Sequence, residues 1–145
     1  MNIEILNQTK HRIPRSYIMN WLLFVELQLV KKKKIKKNQI KEVNIVFVSK
    51  KKIKSLNSNY RGKNKPTDVL SFSGGEGLLG ELVLCPEICK TQAHENNQSF
   101  RDEVAYLVLH GLLHLLGYEH ENGGRKAKLM FDLQDEIFED ICCFS

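Results

Sequence analysis

The sequence predicts an α+β fold in one domain, and three observations lead there. The 145 residues make a typical domain length, enough to bury roughly 68–70% of the surface an unfolded chain exposes. Four short segments carry strand signals and five others carry helix signals. Hydrophobic residues at 42% and charged residues at 27% are globular composition, which excludes wholesale disorder. No segment approaches the ~20 apolar residues of a membrane span. The opening MNIEILNQTKHR lacks the basic-then-apolar layout of a secretory signal, so a cytoplasmic protein with no membrane partner is expected.

Ile3 and Ile5 alternate with polar residues over Asn2 to Asn7, a short strand. Pro14 suits a first helical turn, and Tyr17, Ile18, Trp21, Leu22, Val25 and Leu29 recur at helical spacing. They give an amphipathic helix over about 14–30 whose apolar face belongs to the core. The run Lys31 to Lys37 is a solvated loop or a frayed helix end, with a phosphate-binding arm as the sharper reading. Val43 to Val48 is nearly continuous and β-branched, as in a central strand covered on both faces. Ser49 caps a short helix that turns Ile53 and Leu56 inward, and a polar loop punctuated by Gly62 and Pro66 follows over Asn57 to Asp68. Val69–Phe72 and Gly80–Cys85 are two strands joined through the glycine-rich Ser73 to Leu79, an antiparallel hairpin with a longer loop. Pro86 opens another helix. Ser99-Phe-Arg-Asp102 is a capping-box-like start for a helix over about 99–116. A last helix near 123–141 carries Leu129, Met130, Leu133, Ile137 and Phe138.

Cys85 and Cys89 sit four apart and Cys142 and Cys143 are adjacent, which is no secreted disulfide framework. All four read as thiols; a Cys85/Cys89 metal pair is the weaker alternative to small buried thiols. The net charge of +5 hides a split: residues 1–65 carry 17 Lys and Arg against 3 acids, and residues 66–145 carry 5 against 14. Such asymmetry points to a polyanion, nucleic acid first, for the leading half. Lysine outnumbers arginine 17 to 5, however, so a general lysine bias accounts for part of it.

Three of the five histidines fall in His110-Gly-Leu-Leu-His114-Leu-Leu-Gly117-Tyr-Glu-His120. Residues four apart on a helix are neighbours on one face, so His110 and His114 can reach one ion. Ten residues of continuous helix would carry His120 about 280° round and roughly 15 Å along the axis. The helix must therefore end and the chain turn back, and Gly117 stands where a left-handed cap belongs. Three ligands with a fourth position open is the arrangement of catalytic zinc, which lowers the pKa of a bound water toward ~7. All-imidazole ligation favours zinc over calcium or magnesium and leaves nickel, copper and iron as alternatives. His11 and His94 read as surface residues. The spacing also resembles the metzincin protease motif, but Gly111 stands where those enzymes carry the glutamate base.

A second cluster, Asn57-Ser-Asn-Tyr-Arg61-Gly-Lys-Asn-Lys65-Pro-Thr67-Asp68-Val-Leu-Ser71-Phe72, is dense in polar groups before a hydrophobic strand. Arg61 offers a planar fork suited to phosphate, Lys63 and Lys65 extend it as point charges, and Ser71 stands with them as substrate-binding. The alternative is a turn in which Thr67 and Asp68 satisfy backbone donors and Arg61 pairs with an acid.

Together these segments resemble the YbeY family, bacterial single-strand-specific endoribonucleases of ribosomal RNA maturation. The matching residues are Asn57, Tyr60, Arg61, Thr67–Phe72, Gly80–Cys85 and His110–His120, with Met130 and Gln134 fitting the helix after the histidine motif. Glu81 and Glu119 depart from it, standing where the family pattern has aspartate. The resemblance implies a mixed four-stranded sheet flanked by about five helices. It also implies one zinc per chain on His110, His114 and His120, and Arg61 as a functional arginine in a basic channel for single-stranded RNA. Ribosomal RNA and ribosomal subunits are then the expected partners. Arg61, Asp68 and Glu81 are the candidate catalytic residues; the general base stays open among Asp68, Glu81 and Glu119. The attacking oxygen stays open between water on the ion and the RNA 2′-hydroxyl. A zinc peptidase and a non-catalytic ribosome assembly factor are the competing functions.

Overall fold

The computed structural model describes residues 1–143, and side chains as far as residue 141; the expected thiols of Cys142 and Cys143 lie outside those side chains. The chain runs β1 (Asn2–Asn7), α1 (Arg15–Lys31), β2 (Glu42–Phe47), α2 (Lys50–Arg61), β3 (Val69–Ser73), β4 (Gly80–Leu84), α3 (Pro86–Glu95), α4 (Phe100–Leu115), α5 (Gly124–Phe138) and a short 3₁₀ turn (Glu139–Cys143). It is an α+β fold built on a mixed sheet of order β1-β2-β4-β3. β1, β2 and β4 are parallel, and β3 returns antiparallel on β4 as a hairpin.

The sheet separates two apolar layers. Ile3, Val43, Ile45, Phe47, Leu82 and Leu84 meet α1 and α4 on one face. Val48, Leu70, Val83 and Cys85 meet Ile53 of α2 on the other. β2 is paired on both sides, with Val43, Ile45 and Phe47 fully buried and the alternate residues half-buried, so the cover expected on both faces is complete on one only. Trp21, fully buried on α1, donates its indole N–H to the Ala105 carbonyl at 2.9 Å and so fixes α1 against α4.

The caps form where expected. Ser49 Oγ accepts from Lys52 N at 3.1 Å, and Ser99 Oγ from Asp102 N at 3.2 Å. Two boundaries and one side chain differ from expectation. Pro14 is the N-cap of α1 rather than its first helical residue. Helix α2 continues through Asn57 to Arg61, into the stretch expected as the polar loop Asn57 to Asp68, although Ser58 and Asn59 are poor helix formers. Packing of Ile53 and Asn57 overrides that propensity, and Gly62 (φ +69°) then ends the helix. On α5, Leu129 faces outward while Met130, Leu133 and Ile137 are buried. The lysine run follows the end of α1 as a turn that buries Ile35, with Lys32 paired to Glu136.

β1 and β3 are the sheet's edges. At β1 the Arg15 guanidinium donates to the outward carbonyl of Ile5 at 2.6 Å. At β3, Cys85 N donates to Asp68 O at 3.3 Å and Gly74 N to Leu79 O at 3.0 Å, which sets the alternation between them. The main-chain groups of Val69, Ser71 and Ser73 therefore face the open edge.

Candidate metal centre

Helix α4 is apolar on most of its surface because it lies at the centre of the molecule, between the sheet and the other helices. It ends in a Schellman motif: Gly117 N donates to His114 O and Tyr118 N to Leu113 O, both at 3.0 Å, with Gly117 at φ +102°. The reversal expected from the glycine brings His120 back. The ring centroids of His110, His114 and His120 lie 4.7, 4.8 and 4.9 Å apart in pairs.

The hydrogen bonds of these rings decide whether a cation suits them. His110 Nδ1 lies 2.9 Å from Gln134 Oε1, and His114 Nδ1 2.9 Å from the Tyr118 carbonyl oxygen. Both partners are acceptors, so each Nδ1 carries the proton and each Nε2 presents a lone pair. Those two Nε2 atoms face each other at 3.2 Å. Ligands about 2.0–2.1 Å from a tetrahedral ion stand about 3.3–3.4 Å apart, so the spacing fits one shared cation. His120 Nδ1 is buried without a hydrogen-bond partner. One nitrogen from each ring lies within 4.8 Å of the others, the one His/Cys/Asp/Glu group able to hold a metal among the described residues. Cys85 and Cys89 are free, buried thiols, and burial pushes the Cys89 thiol upward.

Burial also holds His110 and His114 below the ordinary 6.5, against the raising influence of Gln134 on His110 and of the Tyr118 carbonyl on His114. Both are neutral at pH 7 and ready to ligate. On acidification the unfolded chain takes up these protons first. The stability tied to the pair is therefore present above pH 6.5 and declines as the pH falls through that value. Gln134 is fully buried on α5, a polar residue within an apolar stripe. Gln134→Leu keeps the volume and removes the acceptor, so metal affinity is expected to fall about 10–100-fold with the fold retained. Competition with a chelating dye measures it.

The histidines lie in a cleft of about 490 Å³ walled by Arg61, Asp68, β3 and α5. Arg61 sits on the last turn of α2, and its Nη2 pairs with Glu121 Oε1 at 3.1 Å. Asp68 Oδ1 accepts from Val69 N at 2.7 Å and from Thr67 Oγ1 at 3.3 Å. Its charge also acts on His110. Ser71 faces the cleft, its Oγ 3.5 Å from the Gly111 carbonyl.

Glu81 is not brought to this site. It pairs across the hairpin with Phe72, one step out of phase with Ser71 and Leu82, and so projects from the face that carries α2. The catalytic part expected of Glu81 is therefore not supported by its position. Glu119 is exposed and 3.9 Å from Lys126, outside the cleft wall, which leaves Asp68 as the one carboxylate of the three candidates that lines it. Lys63 and Lys65 are exposed on the turn after α2 and do not line the cleft. That turn is held by the Asn57 amide donating to Lys65 O at 2.9 Å. His94 is exposed and His11 lies 2.9 Å from Lys90 Nζ, both away from the centre. Sequence reasoning missed Glu121, Phe131 and the acceptor role of Gln134.

Gly111 explains the missing glutamate. A Cβ there would stand 2.6 Å from Leu82 Cδ2 and 3.2 Å from Ser71 Oγ, because α4 rests on the sheet at this point. Gly111→Glu is expected to destabilise the fold by about 3 kcal/mol or more through overpacking and a buried carboxylate, read from the denaturation midpoint.

A mixed-sheet fold presenting three convergent imidazoles and an arginine in one cleft defines the class: a single-site α+β protein with a three-histidine cluster able to hold a metal ion. The family model described as Endoribonuclease YbeY matches residues 4–142. The chain is 45% identical over 141 residues to Endoribonuclease YbeY of Bdellovibrio bacteriovorus, covering 96% of this chain and 94% of that one. It is 36% identical to the Lactobacillus gasseri protein of the same name, over 83% and 79% of the two chains. A solution structure of a Thermotoga maritima protein matches with a TM-score of 0.64 and 36% identity, covering 96% of this chain and 88% of that one. This chain belongs to the endoribonuclease YbeY family.

Proposed function

We propose that this chain is a zinc-dependent endoribonuclease of one domain, residues 1–145, that cuts single-stranded RNA during ribosomal RNA maturation in the cytoplasm. The observation that carries the reading is the convergence of His110, His114 and His120 with Arg61 and Asp68 on a single cleft. One zinc per chain, held by the three imidazoles, would supply Lewis acidity toward a phosphoryl oxygen. Arg61 meets the charge that grows on the phosphoryl group, giving up Glu121 to do so; an exposed pair of that kind is worth only ~0–1 kcal/mol. Asp68 is placed to take a proton, its Oδ1 oriented by Val69 N and Thr67 Oγ1. The Ser71 hydroxyl and the outward main-chain groups of Ser71 and Ser73 line the strand's path, and Lys63 and Lys65 attract phosphates from the rim.

The test is cleavage of single-stranded and duplex ribosomal RNA segments by zinc-loaded protein, beside the triple His→Ala variant purified identically. Cutting of the single strand alone, absent from the variant, is the expected result. Ribosome binding with intact RNA would mean an assembly factor instead.

A further inference from the structure

We propose that Phe131 is a stacking platform for one nucleobase of the substrate strand, a role that rests on the nuclease reading above. Phe131 stands on α5 beside the buried Met130, yet is itself 37% exposed as a residue. Phe131 lines the same cleft as the Arg61 guanidinium and as Ser71 and Ser73 of the open β3 edge. The ring neighbours two imidazoles. Its centroid is 6.4 Å from that of His110 at an interplanar angle of 29°, and 5.5 Å from that of His120 at 67°. An aromatic face so placed gives contact area at little cost in side-chain entropy.

The chemistry of the ligand follows from what surrounds the ring. A benzyl group offers nothing to phosphate oxygens, which Arg61 serves, but every nucleobase has a π-face to lay on it. A base inside a duplex is already stacked on its neighbours and paired, so only an unpaired nucleotide can reach the platform. Placing the base on α5 while Arg61 draws its phosphate into the cleft sets the backbone beside the histidines. The platform thus gives a physical origin for a preference for single strands.

The test uses zinc-loaded full-length protein and a labelled single-stranded RNA of about ten nucleotides, followed by anisotropy and by cleavage. Phe131→Ala is expected to weaken binding about tenfold or more. Phe131→Leu, which keeps an apolar wall but cannot stack, is expected to behave as alanine does, and Phe131→Trp to restore affinity; zinc content should match wild type in all three. A series of RNAs each carrying one abasic position supplies the readout that a structural role would not move. At the platform position the abasic RNA binds weakly to wild type, and Phe131→Ala adds no further loss. Wild type that cleaves while Phe131→Ala and Phe131→Leu bind and cleave equally well overturns the platform alone, as does a loss that is additive with every abasic position. Wild type that neither binds nor cleaves the RNA overturns the nuclease reading and the platform with it.

Discussion

His114→Ala should strip the metal from the protein and reduce RNA cleavage by about 10³-fold or more, the scale of several kcal/mol of lost charge stabilisation. The size of the effect follows from geometry. His114 is fixed from behind by the Tyr118 carbonyl, and its Nε2 stands 3.2 Å from that of His110. Removing it leaves two imidazoles, one of them on the far side of a chain reversal, and a divalent ion bound by two neutral ligands is readily lost. The ring is half-buried rather than central to the core, so the fold should survive. Elemental analysis of variant and wild type, purified in parallel, checks the claim. One zinc per chain falling to none is the expected pair of values, and retention of full metal content would refute the assignment of ligands.

Arg61→Ala should lower the rate of cleavage about 10²–10³-fold while leaving metal content and the unfolding transition unchanged. Its partner in the free protein, Glu121, is exposed and attached to the histidine loop, so the pair adds little stability. Losing the guanidinium therefore costs transition-state charge neutralisation and very little else. Arg61→Lys keeps the charge but not the planar fork and should recover only part of the rate. Equal cleavage by wild type and Arg61→Ala at matched RNA binding would exclude the role.

The three-histidine cluster is legible in the sequence because its parts are local. Two histidines one helical turn apart and a glycine terminator fall within eight residues of sequence, and both periodicity and φ-preference are local properties. The four strands and five helices followed for the same reason. What failed was tertiary. Whether Glu81 faces the histidines depends on the register of β3 against β4, and that is set across the hairpin loop rather than within either strand. Arg61 was legible as a candidate functional arginine but not as the end of a helix, because Ser58 and Asn59 speak against helix until Ile53 and Asn57 are packed. Gln134 left a trace that can be read, a lone amide among Met130, Leu133 and Ile137. Phe131 left none, since an aromatic next to a buried methionine looks like more core.

The two borders of the sheet are treated in opposite ways. Arg15 sits on the outward carbonyl of Ile5, so a stray chain that tries to extend the sheet beyond β1 meets a cation in place of an acceptor. Nothing comparable covers Ser71 or Ser73 among the described residues, and that second border runs along the cleft wall. A molecule built this way guards itself against sheet-to-sheet clumping on one flank and keeps the other flank free for an incoming strand. Arg15→Ala is expected to show first as concentration-dependent self-association rather than as a loss of catalysis, measured by light scattering across a dilution series.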